Sequence, residues 1–150
     1  MSQPEPRAGF HPDYDALRQE YSYFRYHLPD ALVEVDLASL QVLYVNHMAE
    51  VLLGVTADDV AAGLSGTTLV APEDIHRLLE LLQSFVSESR QNGTTYQHSA
   101  RQDLVTVRMI RRDGTSFPGE TQSSFLLDER GVPVRMLTLI RDVSFRENRD

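Results

Sequence analysis

The sequence predicts an α+β domain in which helices cover one face of an antiparallel sheet. Three β-rich runs, residues 104–111, 116–127 and 132–143, follow one another near the end of the chain. The turn signals between them contain Gly114 and Gly131. A glycine turn between β-rich runs is typical of a hairpin, because glycine adopts positive φ without steric cost. Helical spacing in the middle of the chain supplies the covering layer.

The composition excludes several kinds of chemistry. All fourteen basic residues are arginine and there is no cysteine, which rules out lysine nucleophiles, P-loop lysines, disulfides and thiolate metal sites. The formal net charge of −8 argues against a nucleic-acid partner, because such a partner requires a basic face. No apolar run approaches the roughly 20 residues that span a membrane. We therefore expect a cytoplasmic protein of one domain, or one domain of a larger protein.

The first 27 residues are expected to lie outside the main domain. Residues 1–12 are rich in proline and polar side chains, which predicts a loose tail. From residue 12 to residue 27 the apolar side chains recur three or four positions apart, which predicts an amphipathic helix. Its stripe comprises Tyr14, Leu17, Tyr21 and Phe24. Either the same domain or a second copy of the chain must cover this stripe.

Two short strands and two short helices are expected next. Residues 31–36 and 41–45 have the composition of strands. Asn46 stands where the N-cap of a helix belongs, and Gly54 stands where that helix ends. The run Thr56-Ala57-Asp58-Asp59 resembles a capping box that opens a second helix.

The longest predicted helix runs from Pro72 to about Arg90. Proline suits the first helical position, and the acidic residues that follow it favour the positive end of the helix dipole. The apolar stripe of this helix comprises Ile75, Leu78, Leu79, Leu82 and Val86. Residues 63–68, before the helix, predict a flexible connection. Residues 94–103, after it, predict a loop or an early extension of the next strand.

Several short sequence fragments occur in the order and at the spacing that are typical of one protein family. They are Leu28-Pro29-Asp30-Ala31, Tyr44-Val45-Asn46, Ala49-Glu50, Leu53-Gly54, Pro72-Glu73-Asp74, Arg111-Arg112-Asp113-Gly114-Thr115 and Ile140-Arg141-Asp142-Val143-Ser144. Together they resemble a PAS domain, the small sensor module of many bacterial signalling proteins. The resemblance implies a five-stranded antiparallel sheet of order 2-1-5-4-3 with helices on one face. Residues 28–146 then form the PAS domain, and residues 147–150 start an exit linker.

The resemblance also implies a function. It indicates a sensory and dimerisation module that relays ligand occupancy or partner contact to a C-terminal effector. That effector, for example a histidine kinase or a cyclic-dinucleotide enzyme, would lie in the parent chain of a two-component or related system. Asp142 and Ser144, in the closing triad of the family, are the expected relay residues. Leu137 and Leu139 lie on the outer sheet face, and the N-terminal helix of this chain or of a homodimer partner is their expected cover.

A small-molecule pocket is expected between the sheet and the long helix. Side chains alternate along a strand, so the last three strands direct apolar and hydroxyl residues at the same face. The expected lining comprises Val33, Val35, Leu52, Ile75, Leu79, Leu82, Val107, Met109, Phe117, Thr121, Ser123, Thr138 and Ile140. The alternative is a filled core, in which the hydroxyl groups bond locally.

The sequence assigns no cofactor and no catalytic residue. The flavin-photoadduct branch of the family needs a cysteine, so the covalent photoadduct is excluded. Haem-binding branches use a histidine on the long helix, but His76 falls among the polar positions of that helix, which disfavours haem. Two alternatives stay open, a haem- or other cofactor-loaded sensor and a small cavity enzyme of the isomerase or lyase type. The enzyme would require a buried carboxylate or tyrosine in the pocket, and enzymatic activity is not expected.

Overall fold

An antiparallel sheet and a layer of helices make up the part of the chain that the computed structural model describes, residues 29–91, 100–101 and 104–147. In chain order the elements are β1 (Ala31–Asp36), β2 (Val42–Val45), α1 (His47–Leu53), α2 (Ala57–Ala61), a 3-10 helix (Gly66–Leu69), α3 (Pro72–Gln91), β3 (Ala100–Arg101), β4 (Val105–Ile110), β5 (Ser116–Leu127), β6 (Pro133–Asp142) and α4 (Ser144–Glu147). The predicted α+β class is confirmed. The N-terminal helix predicted around Tyr14, Leu17, Tyr21 and Phe24 lies outside the described residues. Among the helices of the described ranges, none combines the length and the apolar character of a membrane-spanning segment.

The strands are ordered β2-β1-β6-β5-β3, and β4 also pairs with β5. β4 pairs with the first half of β5, where Met109 lies opposite Phe117, and β3 pairs with the second half, where Ala100 lies opposite Phe125. β3 and β4 therefore share one edge of the sheet. Counted as one strand, they confirm the predicted order 2-1-5-4-3. β3 also shows that part of the region 94–103 extends this edge strand.

Two aspartate turns connect the last three strands. Asp113 Oδ1 accepts hydrogen bonds from the backbone N–H and the hydroxyl of Thr115, at 2.9 and 2.6 Å. Asp128 Oδ1 accepts a hydrogen bond from the backbone N–H of Val132 at 3.0 Å. The glycine of each turn has a positive φ, 90° in the first turn and 79° in the second. The predicted hairpin turns are therefore confirmed.

These hydrogen bonds make stability depend on pH. They lower the pKa of both turn aspartates, and the largest cause is the Thr115 hydroxyl for Asp113 and the Val132 N–H for Asp128. A lowered pKa stabilises the fold above the unfolded pKa of about 3.9, and this stabilisation is lost as the pH falls through the folded pKa. The double variant Asp113→Asn/Asp128→Asn keeps the accepting oxygens but cannot ionise at these positions. We therefore expect its unfolding free energy to fall less than that of the native chain when the pH is lowered from about 5 to about 2. Urea unfolding at both pH values measures this difference, and equal losses would contradict it.

The predicted helix caps are confirmed. Asn46 Oδ1 accepts a hydrogen bond from the Ala49 N–H at 3.0 Å, and Gly54 ends α1 in the left-handed conformation with φ of 69°. Thr56 and Asp59 form the capping box of α2 through reciprocal bonds of 3.1 and 2.9 Å. The starts of both helices could be read from sequence because each cap is a local interaction.

The segment 63–68 is ordered, which corrects the prediction of a flexible connection. The Gly66 N–H donates to the Leu40 carbonyl at 2.7 Å, and the Val42 N–H donates to the Leu64 carbonyl at 2.8 Å. Leu64 is also buried in the core. Glycine and threonine in this segment suggested flexibility, but long-range hydrogen bonds that spacing does not reveal give it a defined structure.

Helix α3 begins beside the outer edge of β4, where Val70 also forms a bridge to Met109. Asp74 Oδ2 accepts a hydrogen bond from the Arg108 N–H at 2.7 Å, and Arg77 Nη2 donates to the Thr106 carbonyl at 2.8 Å. Both bonds use backbone groups that an edge strand otherwise exposes, so they protect this edge from pairing with another chain. They also hold the N-terminal part of α3 in position, with its apolar stripe over the inner face of the sheet.

Candidate ligand cavity

A cavity of about 140 Å3 lies between α3 and the inner face of the sheet. It brings together all of the predicted pocket residues except two. Those that line it are Val33, Val35, Ile75, Leu79, Leu82, Val107, Met109, Thr121, Ser123, Thr138 and Ile140. The residues of the α3 stripe therefore face the same space as the inward residues of β1, β4, β5 and β6.

Leu52 and Phe117, the two other predicted residues, do not line the cavity. Phe117 is 2% exposed and belongs to the core, where the Arg111 guanidinium lies 4.4 Å from its ring centroid. Leu52 packs against the core from α1, and its carbonyl accepts a hydrogen bond from Arg111 Nε at 3.1 Å. Both residues therefore contact Arg111 instead of the cavity.

The cavity also includes residues that the sequence did not assign to it. They are Leu40, Gly66, Thr67, Leu69, Val70, Leu78, Val105 and Met136. Leu78, Val105 and Met136 share a face with predicted residues, so helical spacing and strand alternation are the signals that could have identified them. Leu40 and the 3-10 helix reach the cavity through hydrogen bonds between distant segments, which leave no periodic signal. Leu40 itself has a positive φ of 62°, a conformation that leucine rarely adopts.

The apolar face of α3 is only partly covered. Ile75, Leu78 and Leu82 are half-buried, and Leu79 is 37% exposed. The sheet residues across the cavity are better covered, since Val107 is 2% exposed and Ile140 is 4% exposed. A small gap therefore separates α3 from the well-packed inner face of the sheet, and this gap is the cavity.

Three hydroxyl-bearing residues form the polar part of the sheet wall. Thr121 Oγ1 donates to the Val105 carbonyl at 2.8 Å. Ser123 Oγ and Thr138 Oγ1 lie 2.9 Å apart and share a hydrogen bond. These hydroxyls therefore form hydrogen bonds with neighbouring groups, as expected for a filled core, yet an open space lies beside them.

The side chains that line the cavity are uncharged. It consists of aliphatic residues, methionine, glycine, serine and threonine. A buried carboxylate or tyrosine, the condition for the enzyme alternative, is not among these residues. The described residues also contain no group of three or more histidine, aspartate or glutamate side chains that could hold a metal ion.

His76 does not face the cavity. Its side chain is 85% exposed, and its Nε2 lies 2.8 Å from Glu80 Oε1 one turn further along α3. This position does not fit an axial ligand of a haem between α3 and the sheet. The cavity is also smaller than the roughly 300 Å3 at which pockets for larger organic ligands begin.

The end of β6 is joined to two other parts of the domain. Arg111 Nη2 lies 3.4 Å from Asp142 Oδ2, and the same guanidinium binds the end of α1 through the Leu52 carbonyl. The Ser144 N–H donates to Asp142 Oδ1 at 2.9 Å, and the Ser144 hydroxyl donates to the same oxygen. The two predicted relay residues are therefore in contact, and Arg111 connects them to α1.

Helix α4 is anchored to the outer side of the sheet by two ion pairs. Arg108 Nη2 lies 2.7 Å from Glu147 Oε1, and Arg146 Nη1 lies 2.7 Å from Glu120 Oε2. Arg108 is on β4 and Glu120 is on β5, and each is next in sequence to a residue on the inner side of its strand. Two strands that line the cavity, β4 and β5, thus also hold α4.

Leu137 and Leu139, predicted for the outer face, alternate with the cavity residues Thr138 and Ile140 on β6. Both leucines are half-buried. Their predicted cover, the N-terminal helix, lies outside the described residues.

The fold and the cavity define an α+β domain in which a sheet and one long helix enclose an uncharged space. The chain belongs to the PAS domain family, whose family model matches residues 29–145. A search of curated proteins found no match.

Solved structures share this fold. A PAS domain from Colwellia psychrerythraea is similar with a TM-score of 0.65 at 23% identity, over 87% of this chain and 99% of that chain. The PAS domain of a two-component sensor histidine kinase has a TM-score of 0.61 at 15% identity, over 85% of this chain and 98% of that chain. An RNA-binding light-oxygen-voltage receptor has a TM-score of 0.65 at 24% identity, over 100% of this chain but 39% of the receptor. At such identities the likeness extends to the fold alone.

Proposed function

We propose that this chain is the sensory module of a signalling protein and binds a small molecule between α3 and the sheet. The observation that carries this proposal is the uncharged cavity of about 140 Å3 beneath a partly covered helix. Membership of the PAS family supports the proposal, since the resemblance implies a sensor. The cavity enzyme is less well supported, because no titratable side chain lines the cavity. The haem sensor is less well supported, because His76 is exposed and does not line the cavity.

A molecule in the cavity would change the packing of α3. Leu79 is 37% exposed and Ile75 is half-buried, so both side chains can gain contacts with an occupant. Apolar surface removed from water contributes about 25 cal/mol for each Å2. Occupancy therefore favours the arrangement in which α3 lies close to the sheet. A ligand shifts an equilibrium only through a difference in its affinity for the two states, and contacts with α3 supply that difference.

The signal would leave the domain through the strands that line the cavity. Val107 faces the cavity, and the neighbouring Arg108 holds Glu147 of α4 at 2.7 Å. Movement of β4 therefore moves an anchor of α4. Asp142 and Ser144 would transmit movement of β6 in the same direction along the chain. The receiver in this proposal is an effector of the parent chain, such as a histidine kinase or a cyclic-dinucleotide enzyme.

Homodimer formation belongs to the same proposal. Leu137 and Leu139 make the outer face of β6 apolar and are half-buried. The stripe of Tyr14, Leu17, Tyr21 and Phe24 is the proposed cover, contributed by the same chain or by the second copy. Analytical ultracentrifugation of the full chain distinguishes monomer from dimer and tests this part by itself.

A variant that fills the cavity tests the binding proposal. Ser123→Leu/Thr138→Val adds carbon atoms to the sheet wall and removes both members of the hydroxyl pair. Added buried carbon contributes about 0.8 kcal/mol per methylene, while loss of both hydrogen-bonding partners is close to neutral. We expect the unfolding free energy to rise by about 1 kcal/mol, and binding of small apolar probes to disappear.

Benzene is a suitable probe, because a cavity of about 150 Å3 lined by apolar side chains is large enough to hold it. We expect saturating benzene to raise the melting temperature of the native chain and not that of the filled variant. Because α4 is expected to respond to occupancy, benzene should slow the hydrogen exchange of residues 144–147 in the native chain and not in the filled variant. Ser116→Leu, which adds the same side chain at an exposed position of β5, is the control. An equal benzene shift in the native and filled proteins would refute binding at this cavity.

A further inference from the structure

The hydroxyl pair on the sheet wall has one hydrogen-bond donor more than it uses. Ser123 Oγ and Thr138 Oγ1 lie 2.9 Å apart, directly opposite each other on β5 and β6. Each hydroxyl carries one proton, and the bond between them uses only one of the two. Within the described part of the chain, neither hydroxyl makes any other hydrogen bond.

This spare donor is buried. Ser123 is 6% exposed and Thr138 is 9% exposed, so bulk water does not reach either hydroxyl freely. Buried donors in folded proteins nearly always have an acceptor, because an unsatisfied one costs free energy. Since both residues line the cavity, the acceptor for the second proton can sit inside it.

The other hydroxyl groups around the cavity do not provide an equivalent donor. Thr121 already donates its proton to the Val105 carbonyl at 2.8 Å. Thr67 Oγ1 bonds to Ser65 Oγ at 2.8 Å, and both residues are only half-buried, so water can serve that pair. Among the described residues that line the cavity, the spare hydrogen-bond donor therefore belongs to the Ser123–Thr138 pair.

We propose that the cavity selects an uncharged, mainly apolar molecule that carries one hydrogen-bond acceptor, such as a carbonyl or ether oxygen, bound by the Ser123–Thr138 pair. This inference rests on the proposed function and adds the chemical class of the ligand. Charge is excluded because no charged side chain lines the cavity, and burial of an unpaired charge is strongly unfavourable. The volume of about 140 Å3 corresponds to a molecule of about six to eight non-hydrogen atoms.

Two probes of nearly equal shape test the assignment. Cyclohexanone carries a carbonyl oxygen where methylenecyclohexane carries a CH2 group. Their affinities for the full chain are measured by titration calorimetry, and the quantity of interest is the ratio of the two dissociation constants. The variant is Ser123→Ala/Thr138→Val, which removes the donor while it keeps the shape of the wall. Replacement of both partners by apolar groups of similar shape is nearly neutral for stability, so this variant is expected to fold.

Comparison of ratios cancels the different hydration of the two probes. We expect the preference for cyclohexanone over methylenecyclohexane to fall by about tenfold in the variant, the effect of one hydrogen bond. Ser124→Ala/Thr106→Val makes the same two chemical changes on the outer side of the sheet and should leave the ratio unchanged. If both probes bind and the ratio is the same in native and variant proteins, the acceptor assignment is wrong and the cavity proposal stands. If neither probe binds the native chain, both proposals are overturned.

Discussion

Replacement of Asn46 by alanine is expected to lower the unfolding free energy by about 3 to 5 kcal/mol. The side chain is 0% exposed. Its Oδ1 accepts hydrogen bonds from the N–H groups of Leu32 and Ala49 at 2.9 and 3.0 Å, and its Nδ2 donates to the Asp30 carbonyl at 2.9 Å. One amide group thus caps α1 and ties that helix to the start of β1. Alanine would leave these backbone groups without their partner, and the Leu32 N–H lies in a buried segment.

Two comparison variants separate the bridging role of Asn46 from ordinary capping. Thr56→Ala removes the exposed cap of α2 and is expected to cost about 1 kcal/mol. Asn46→Ser keeps a cap for α1 but is too short for the bonds to Leu32 and Asp30, so its loss should fall between the other two. Urea denaturation of the three variants measures these differences. A loss for Asn46→Ala that equals the loss for Thr56→Ala would show that the bridge contributes nothing.

Replacement of Gly119 by valine is the second large effect, with an expected loss of about 3 kcal/mol. Gly119 is buried in β5, opposite Val107 on β4. A Cβ atom at this position would lie 2.5 Å from Met109 Cγ and 3.4 Å from Ile140 Cγ2. The first distance is far below van der Waals contact, so Met109 must move. The loss comes from this overlap, since both neighbours are buried parts of the cavity wall.

A double-mutant cycle tests this explanation. In the Met109→Ala background the overlapping side chain is absent, so Gly119→Val should cost about 2 kcal/mol less than it does in the native chain. Met109→Ala alone is expected to be destabilising because it enlarges the cavity. Additive losses for the two substitutions would argue that the cost of valine arises elsewhere, for example in the pairing of β5. Thermal and urea unfolding provide independent values for the cycle.

Local patterns in the sequence were sufficient for the elements and for most of the cavity lining. The caps at Asn46 and Thr56 are interactions over three residues, and each hairpin turn has a glycine one to three residues after an aspartate. Strand alternation correctly grouped Thr121, Ser123 and Thr138 on one face, because the period of two in a strand is obligatory.

Other features depend on pairs of segments that are distant in sequence. Leu40 contacts Gly66 through a backbone hydrogen bond, and this contact brings the 3-10 helix to the cavity. The bonds from Asn46 to Leu32 and Asp30 likewise join residues 14 and 16 positions apart. No periodicity records such contacts, so neither could be read from the sequence.

Residue types and their spacing were enough to predict the antiparallel sheet, the long helix above it, the absence of cysteine and lysine chemistry, and the apolar and hydroxyl character of the inner face. Each of these follows from residue type or from spacing along one element. Three further features became visible in the folded chain alone. There is a gap between α3 and the sheet, a space of about 140 Å3 remains there, and Ser123 and Thr138 share one hydrogen bond. These features depend on how far two layers stand apart and on which side chains meet across strands, and packing of the whole chain sets both.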